Sequence, residues 1–193
     1  MSLTVEKCLQ AWTNSLRQMN GKADIVFFGD SLTYYGDFSS VFPGKVVCNL
    51  GLRGDTIQGM INRVEQVEII NPRQVLLMAG INDVATCSCN QFFDIYEELV
   101  RKLISLIPEA DIFVQSLLPV NEHDFNISCN NAQIIRCNAN IRTIASKFKL
   151  PYLDLYNIYS DNFCLPTIDT IDGIHLRSEA YSKWFNYLLK IIR

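Results

Sequence analysis

The 193-residue sequence contains only two histidines and no apolar run of the roughly 18 residues that a membrane-spanning helix requires. So few imidazoles limit metal chemistry. Cys87-Ser88-Cys89 is the one close pair of thiols and lacks the further ligands of a zinc site, so it reads as a loop thiol pair, and no metal or cofactor is expected. Lysines and arginines form no stripe and the net charge is −3, which excludes the electrostatic footprint of a nucleic-acid binder. The seven cysteines, odd in number and irregular in spacing, point to reduced thiols rather than a disulfide framework in a chain long enough to build its own core. The opening stretch MSLTVEKCLQAW lacks the charged-then-apolar layout of a secretory signal. A cytoplasmic location is therefore expected over a secreted one, with a signal upstream of Met1-Ser2-Leu3 left open. Also missing are a composition shift, a Pro/Gly-rich linker and an internal repeat, so residues 1–193 are expected to form a single domain.

What is present is an alternation. Short runs bounded by turn residues fall at 24–29, 45–50, 74–79, 111–117 and 151–155, and most are apolar throughout, the pattern of strands covered on both faces. Between them lie helix-periodic segments at 56–68, 91–107 and 130–148, with another before the first strand at 5–19 and one closing the chain at 178–191. In the last of these, Tyr181, Trp184, Phe185, Leu188 and Leu189 form an apolar stripe suited to core packing, and Ser178-Glu179 reads as its cap region. Strand–helix repetition predicts an α/β fold, a parallel sheet with helices on both faces. Sites in such folds form beyond the carboxyl ends of the strands, near a topological switch point.

The segments at those ends are polar: Gly29-Asp30-Ser31, Gly51-Leu52-Arg53-Gly54-Asp55-Thr56, Gly80-Ile81-Asn82-Asp83, Leu118-Pro119-Val120-Asn121, and the long loop leading to His175. A serine hydroxyl becomes a competent nucleophile when a general base takes its proton. His175 can be that base for Ser31, and Asp172, three residues earlier, can bond the other ring nitrogen and fix the tautomer. Asp169 is a poorer partner because the chain must fold around to reach the ring. Acyl transfer also needs donors for an oxyanion. The backbone N–H of Ser31, the unhindered N–H of Gly54 and the side-chain amide of Asn82 supply three. Each feature has a plain alternative: a helix cap for Ser31, a surface position for His175, ordinary turns for Gly54 and Asn82. Asp30, Asp55 and Asp83 read as turn-fixing carboxylates, His123 as a solvated loop histidine, Arg53 as either a substrate contact or a surface arginine, and Tyr34 and Tyr35 as either pocket walls or packing residues.

Gly29-Asp30-Ser31-Leu32, Gly54, Gly80-x-Asn82-Asp83 and Asp172-x-x-His175 together resemble the four signature blocks of the GDSL, or SGNH, hydrolase family, in order, between Ile25 and Leu176. Phe28-Gly29-Asp30-Ser31, Asn49-Leu50-Gly51-x-x-Gly54-Asp55-Thr56 and Leu117-Leu118-Pro119 resemble its platelet-activating-factor acetylhydrolase catalytic-subunit branch. The resemblance implies a flavodoxin-like three-layer α/β/α sandwich on a five-stranded parallel sheet, and a serine esterase working without a metal. Ser31 is then the nucleophile, His175 the base and Asp172 its partner, with Ser31, Gly54 and Asn82 as the oxyanion hole. The expected partner is a small-molecule ester, an acetylated sugar or lipid, and the reading is compatible with a homo-oligomer. Two rivals remain open: an acyltransferase on the same site, and a flavodoxin-like module binding phosphate or FMN at the Ser31 turn.

Overall fold

The computed structural model describes residues 22–192. All five residues of its first strand, β1 (Ile25–Gly29), are buried. Successive side chains of a strand point to opposite faces. Here Val26 and Phe28 enter one core while Ile25 and Phe27 enter another. A strand that feeds two cores must be covered on both sides, which is why the run is apolar without alternation. After β1 come α1 (Ser31–Tyr34), β2 (Val47–Gly51), α2 (Ile57–Asn62), α3 (Glu65–Ile70) and β3 (Gln74–Met78). They are followed by α4 (Cys89–Leu106), β4 (Asp111–Gln115), α5 (Asn131–Lys147), β5 (Tyr152–Leu153), α6 (Leu155–Tyr159) and α7 (Tyr181–Leu188).

The five strands pair in parallel throughout, in the order β2-β1-β3-β4-β5. Side chains of α2, α3, α4 and α5 pack in the first core, and those of α7 with Phe38 and Phe42 in the second. This is the expected α/β/α sandwich. The strand order reverses between β1 and β3, so the crevice past their carboxyl ends is the switch point where such folds place their chemistry.

α4 and α5 match the helices expected at 91–107 and 130–148, and each opens with a capping box, Ser88 with Gln91 and Asn130 with Gln133. Three expectations are corrected. The helix expected over 56–68 breaks in two, because Arg63 leaves helical geometry (φ −120°, ψ 12°) to turn its side chain inward. The strand expected over 151–155 stops at Leu153, where Asp154 accepts the Asn157 N–H at 3.3 Å and starts α6 instead. The closing helix begins as a 3-10 turn, Ser178–Ala180, that Ser178 does not cap with its side chain, and becomes α-helical only at Tyr181. The helix expected at 5–19 lies outside the described residues. The six cysteines within them are all free thiols, and no helix of the described residues is long and apolar enough to cross a membrane.

Candidate active site

The turn that carries Ser31 is built by close approach. A Cβ on Gly29 would lie 2.1 Å from the Thr33 hydroxyl oxygen and 2.7 Å from the Met78 carbonyl oxygen, so only glycine lets β1 end there. Asp30 leaves the strand and accepts the Leu32 N–H on Oδ1 at 2.9 Å, capping α1, whose first residue is Ser31. This is the turn-fixing role expected of Asp30. Its other oxygen, Oδ2, is buried without a hydrogen-bond partner. Burial pushes the Asp30 carboxyl up to about 7; the Leu32 N–H opposes this, and the nearby carboxylates of Asp55 and Asp83 add to it. Asn49 secures the far end of the turn, donating to the carbonyls of Thr33 and Gly36 at 2.9 and 3.0 Å. The Tyr181 hydroxyl of α7 donates to the Leu32 carbonyl at 2.7 Å.

Facing this turn is His175. Its Nε2 lies 2.9 Å from Ser31 Oγ, across 144 positions of sequence. Its Nδ1 lies 2.6 Å from Asp172 Oδ2, while Asp172 Oδ1 accepts the backbone N–H groups of His175 and Ile174 at 2.8 and 3.0 Å. Burial disfavours the Asp172 charge, but the backbone and ring groups of His175 together with the Ile174 N–H outweigh it and hold the carboxyl below its usual range. Asp169, the weaker candidate, is taken elsewhere: it accepts from Lys183 Nζ at 2.5 Å.

The His175 segment is a stitched hairpin. Thr170 bridges Leu176, the Ile171 N–H and the Thr170 hydroxyl both donate to the His175 carbonyl at 2.9 Å, and the Gly173 N–H donates to Thr170 Oγ1 at 2.9 Å. Asn121, just past β4, donates its N–H to the Gly173 carbonyl at 2.8 Å and ties the hairpin to the sheet. Gly173 has φ +92°, and a Cβ there would lie 2.8 Å from Phe125 Cβ.

The remaining two loops leave the strands on either side of β1. Gly29 pairs with Gly51 of β2 and with Met78 of β3, so the segments that carry Ser31, Gly54 and Asn82 start side by side. Gly54 is exposed with φ +70°, and a Cβ would meet nothing within 4 Å: glycine serves the left-handed turn here, not a close contact. Asn82 donates through Nδ2 to the Asp55 carbonyl at 2.8 Å. An acceptor at that point fixes the nitrogen end of the amide, and a second N–H remains on it. The structure thus joins Ser31 to His175 and Asp172, and joins the Gly54 and Asn82 loops through Asp55.

Tyr35 packs edge-on against the His175 ring with centroids 5.8 Å apart, and the Arg53 guanidinium lies 5.7 Å from the Tyr35 ring centre. Both are exposed and flank the imidazole. His123 is an exposed residue lining a cavity of about 450 Å³ formed by residues 122–130, the loop position expected of it. Asp83 accepts the Ile57 N–H at 3.0 Å and Asp55 pairs with Arg63 at 2.7 Å, both structural roles. The parts played by Thr170, Asn121 and Arg63 go beyond the sequence reading. Arg63 had a signal, since Met60, Arg63 and Val67 share one helical stripe and a charge within an apolar stripe marks an inward-facing partner site.

A parallel α/β sandwich with a serine, a histidine and an aspartate joined at its switch point has the architecture of a hydrolase. Residues 27–183 match the GDSL-like lipase/acylhydrolase family, and the chain belongs to that family of hydrolytic enzymes. Over 171 residues it is 27% identical to chicken (Gallus gallus) platelet-activating factor acetylhydrolase IB subunit alpha2, covering 83% of this chain and 72% of that protein. Among solved structures, a GDSL-like lipase from Bacteroides thetaiotaomicron superposes with a TM-score of 0.78 at 20% identity, covering 94% of this chain and 95% of the other. An acetyl xylan esterase superposes with a TM-score of 0.72 at 20% identity, covering 88% and 99%.

Proposed function

We propose that this protein hydrolyses carboxylic esters of short acyl groups such as acetyl, on sugar or lipid alcohols, using Ser31, His175 and Asp172. The observation that carries the reading is the unbroken chain from Ser31 Oγ through the imidazole to the Asp172 carboxylate, at 2.9 and 2.6 Å. His175 Nε2 accepts the Ser31 proton as Oγ attacks the ester carbonyl carbon. Asp172, whose charge is favoured by its N–H partners, holds the ring and balances the imidazolium that forms. The carbonyl oxygen, now negative, accepts from the Ser31 N–H, the Gly54 N–H and the second N–H of Asn82. The Ser31 N–H is available because the first amides of a helix have no intrahelical acceptor, and Asp30 Oδ1 is taken by Leu32. The imidazolium then protonates the departing alcohol, and water repeats the sequence on the acyl-serine to release the acid and free Ser31.

Short acyl groups are supported by two relatives, an acetylhydrolase and an acetyl xylan esterase by name. The test is direct. Ser31→Ala abolishes hydrolysis of p-nitrophenyl acetate and labelling by a fluorophosphonate while circular dichroism stays native; unchanged turnover in that variant would end the reading. Asn82→Ala lowers kcat by about 100- to 1000-fold, the usual cost of one oxyanion donor. An acyl-length series places the two-carbon ester first, and product analysis with an added alcohol acceptor separates hydrolysis from transfer.

A further inference from the structure

We propose that Arg63 is a positioning residue for the oxyanion side of the site, and that it acts through Asp55 on the side-chain amide of Asn82. The inference rests on the esterase reading above. Arg63 is 3% exposed, and its guanidinium serves acceptors on three neighbouring segments. Nε donates to Asp55 Oδ2 at 2.7 Å, Nη1 to the Leu50 carbonyl at 2.9 Å, and Nη2 to the Gly29 carbonyl at 3.0 Å. Gly29 ends β1 two residues before Ser31, and Leu50 lies in β2 four residues before Gly54. One planar cation therefore fixes the exits of both strands from which the nucleophile turn and the Gly54 loop depart. Its guanidinium carbon lies over the Phe28 ring, 4.5 Å from the ring centre, a cation–π contact beside the hydrogen bonds.

The chain of contacts continues to the substrate side. Asp55, pinned by Arg63 through its carboxylate, holds Asn82 Nδ2 with its own carbonyl at 2.8 Å. Gly59 makes room for this arrangement: a Cβ there would lie 2.0 Å from Asp55 Oδ1. The turn after Asn82 is tied to the same region, since Asp83 accepts the Ile57 N–H at the start of α2. α2 itself stops at Arg63. An uninterrupted helix is given up where this side chain turns inward, which suits a residue whose task is to organise strand ends rather than to fill space. Lysine cannot replace it, because an ammonium on a flexible stem is a point charge and does not reproduce a rigid fork aimed at Asp55, Leu50, Gln66 and Gly29 at once.

A double-mutant cycle on p-nitrophenyl acetate hydrolysis tests this, using wild type, Arg63→Lys, Asn82→Ala and the double variant, with circular dichroism to establish folding. Arg63→Lys is expected to lower kcat by about 10- to 100-fold with KM within about twofold, as for an interaction expressed in the transition state. In the Asn82→Ala background the same change is expected to lower kcat by less than about threefold, because the donor it positions is gone. Equal losses in both backgrounds, or reduced stability with unchanged kcat, overturn the proposal. Should Arg63→Lys fail to fold, Gly59→Ala takes its place in the cycle. It displaces the Asp55 carboxylate while keeping every charge, and alanine favours the helix; an unaltered kcat in that variant is equally fatal. A wild-type protein without esterase activity would instead defeat the functional reading itself, a separate and distinguishable result.

Discussion

Asp30 stands next to Ser31, wholly buried, with one oxygen on the Leu32 N–H and the other without a partner. A carboxyl in that position resists ionisation, and its value of about 7 lies above the ordinary 3.8 because burial dominates. The sign of the effect on stability follows from proton binding. Between those two values the folded protein holds a proton on Asp30 that the unfolded chain has released, so stability falls as pH rises through that window. The substitution Asp30→Asn keeps an acceptor for the Leu32 N–H and removes the titration. Urea unfolding at pH 5 and pH 7.5 is therefore expected to show wild type losing about 2 to 3 kcal/mol more than Asp30→Asn over the interval, at about 1.4 kcal/mol per pH unit up to the folded value. Equal losses in the two proteins would mean that Asp30 is already ionised at pH 5. At this scale the sequence is legible where chemistry is local: Asp172 and His175 lie three residues apart and Asp30 caps its own helix. It says less where partners are distant: the helical stripe marks Arg63 as inward-facing but not that it reaches the Leu50 and Gly29 carbonyls, 13 and 34 positions away.

Among the elements, α5 shows how a helix holds an irregular segment. The stretch after β4 runs from Leu117 to Asn121, outside any strand, yet most of it is buried. Asn138 of α5 replaces the missing ladder by accepting the Leu117 N–H at 2.8 Å and donating to the Leu117 carbonyl at 3.0 Å. Asn131 does the same for Val120, at 2.9 and 2.8 Å. Asn121 follows at once and anchors the His175 hairpin, so the two side-chain amides position the hairpin from a neighbouring layer. Asn138→Ala strands a buried N–H and a buried carbonyl and is expected to destabilise the protein by about 2 to 4 kcal/mol in urea titrations. Asn140→Ala, on the same helix but bonded to Cys89 at the surface, is expected to cost less than about 1 kcal/mol. Similar costs for the two would refute the role given to Asn138. Periodicity reveals α5 and its span because its apolar stripe is regular. It does not separate asparagines that clamp a neighbouring backbone from those that face water, and it overruns at 63, 154 and 178, where a buried charge, an aspartate cap and a 3-10 turn override propensity.

At the scale of the molecule, the site joins the two ends of the described chain. Ser31 follows the first strand and His175 precedes the last helix, and each is fixed by elements from elsewhere in the sequence: the Ser31 turn by Asn49 and Tyr181, the His175 hairpin by Asn121. β1, the strand beneath Ser31, feeds both cores, so neither helical layer can detach without exposing side chains of the strand that carries the Ser31 turn. Such coupling implies that the arrangement of Ser31, His175 and Asp172 has no local route to disassembly and is lost only with the sheet. Residual esterase activity, the fluorescence of the buried Trp184 and far-UV circular dichroism are accordingly expected to fall along a single urea transition with one midpoint. Trp184 reports the second core, where its indole N–H donates to Gln115 at 2.8 Å. Activity vanishing at urea concentrations where fluorescence and ellipticity remain native would show that the His175 hairpin opens independently, and two resolved transitions would show that the chain folds as more than one unit.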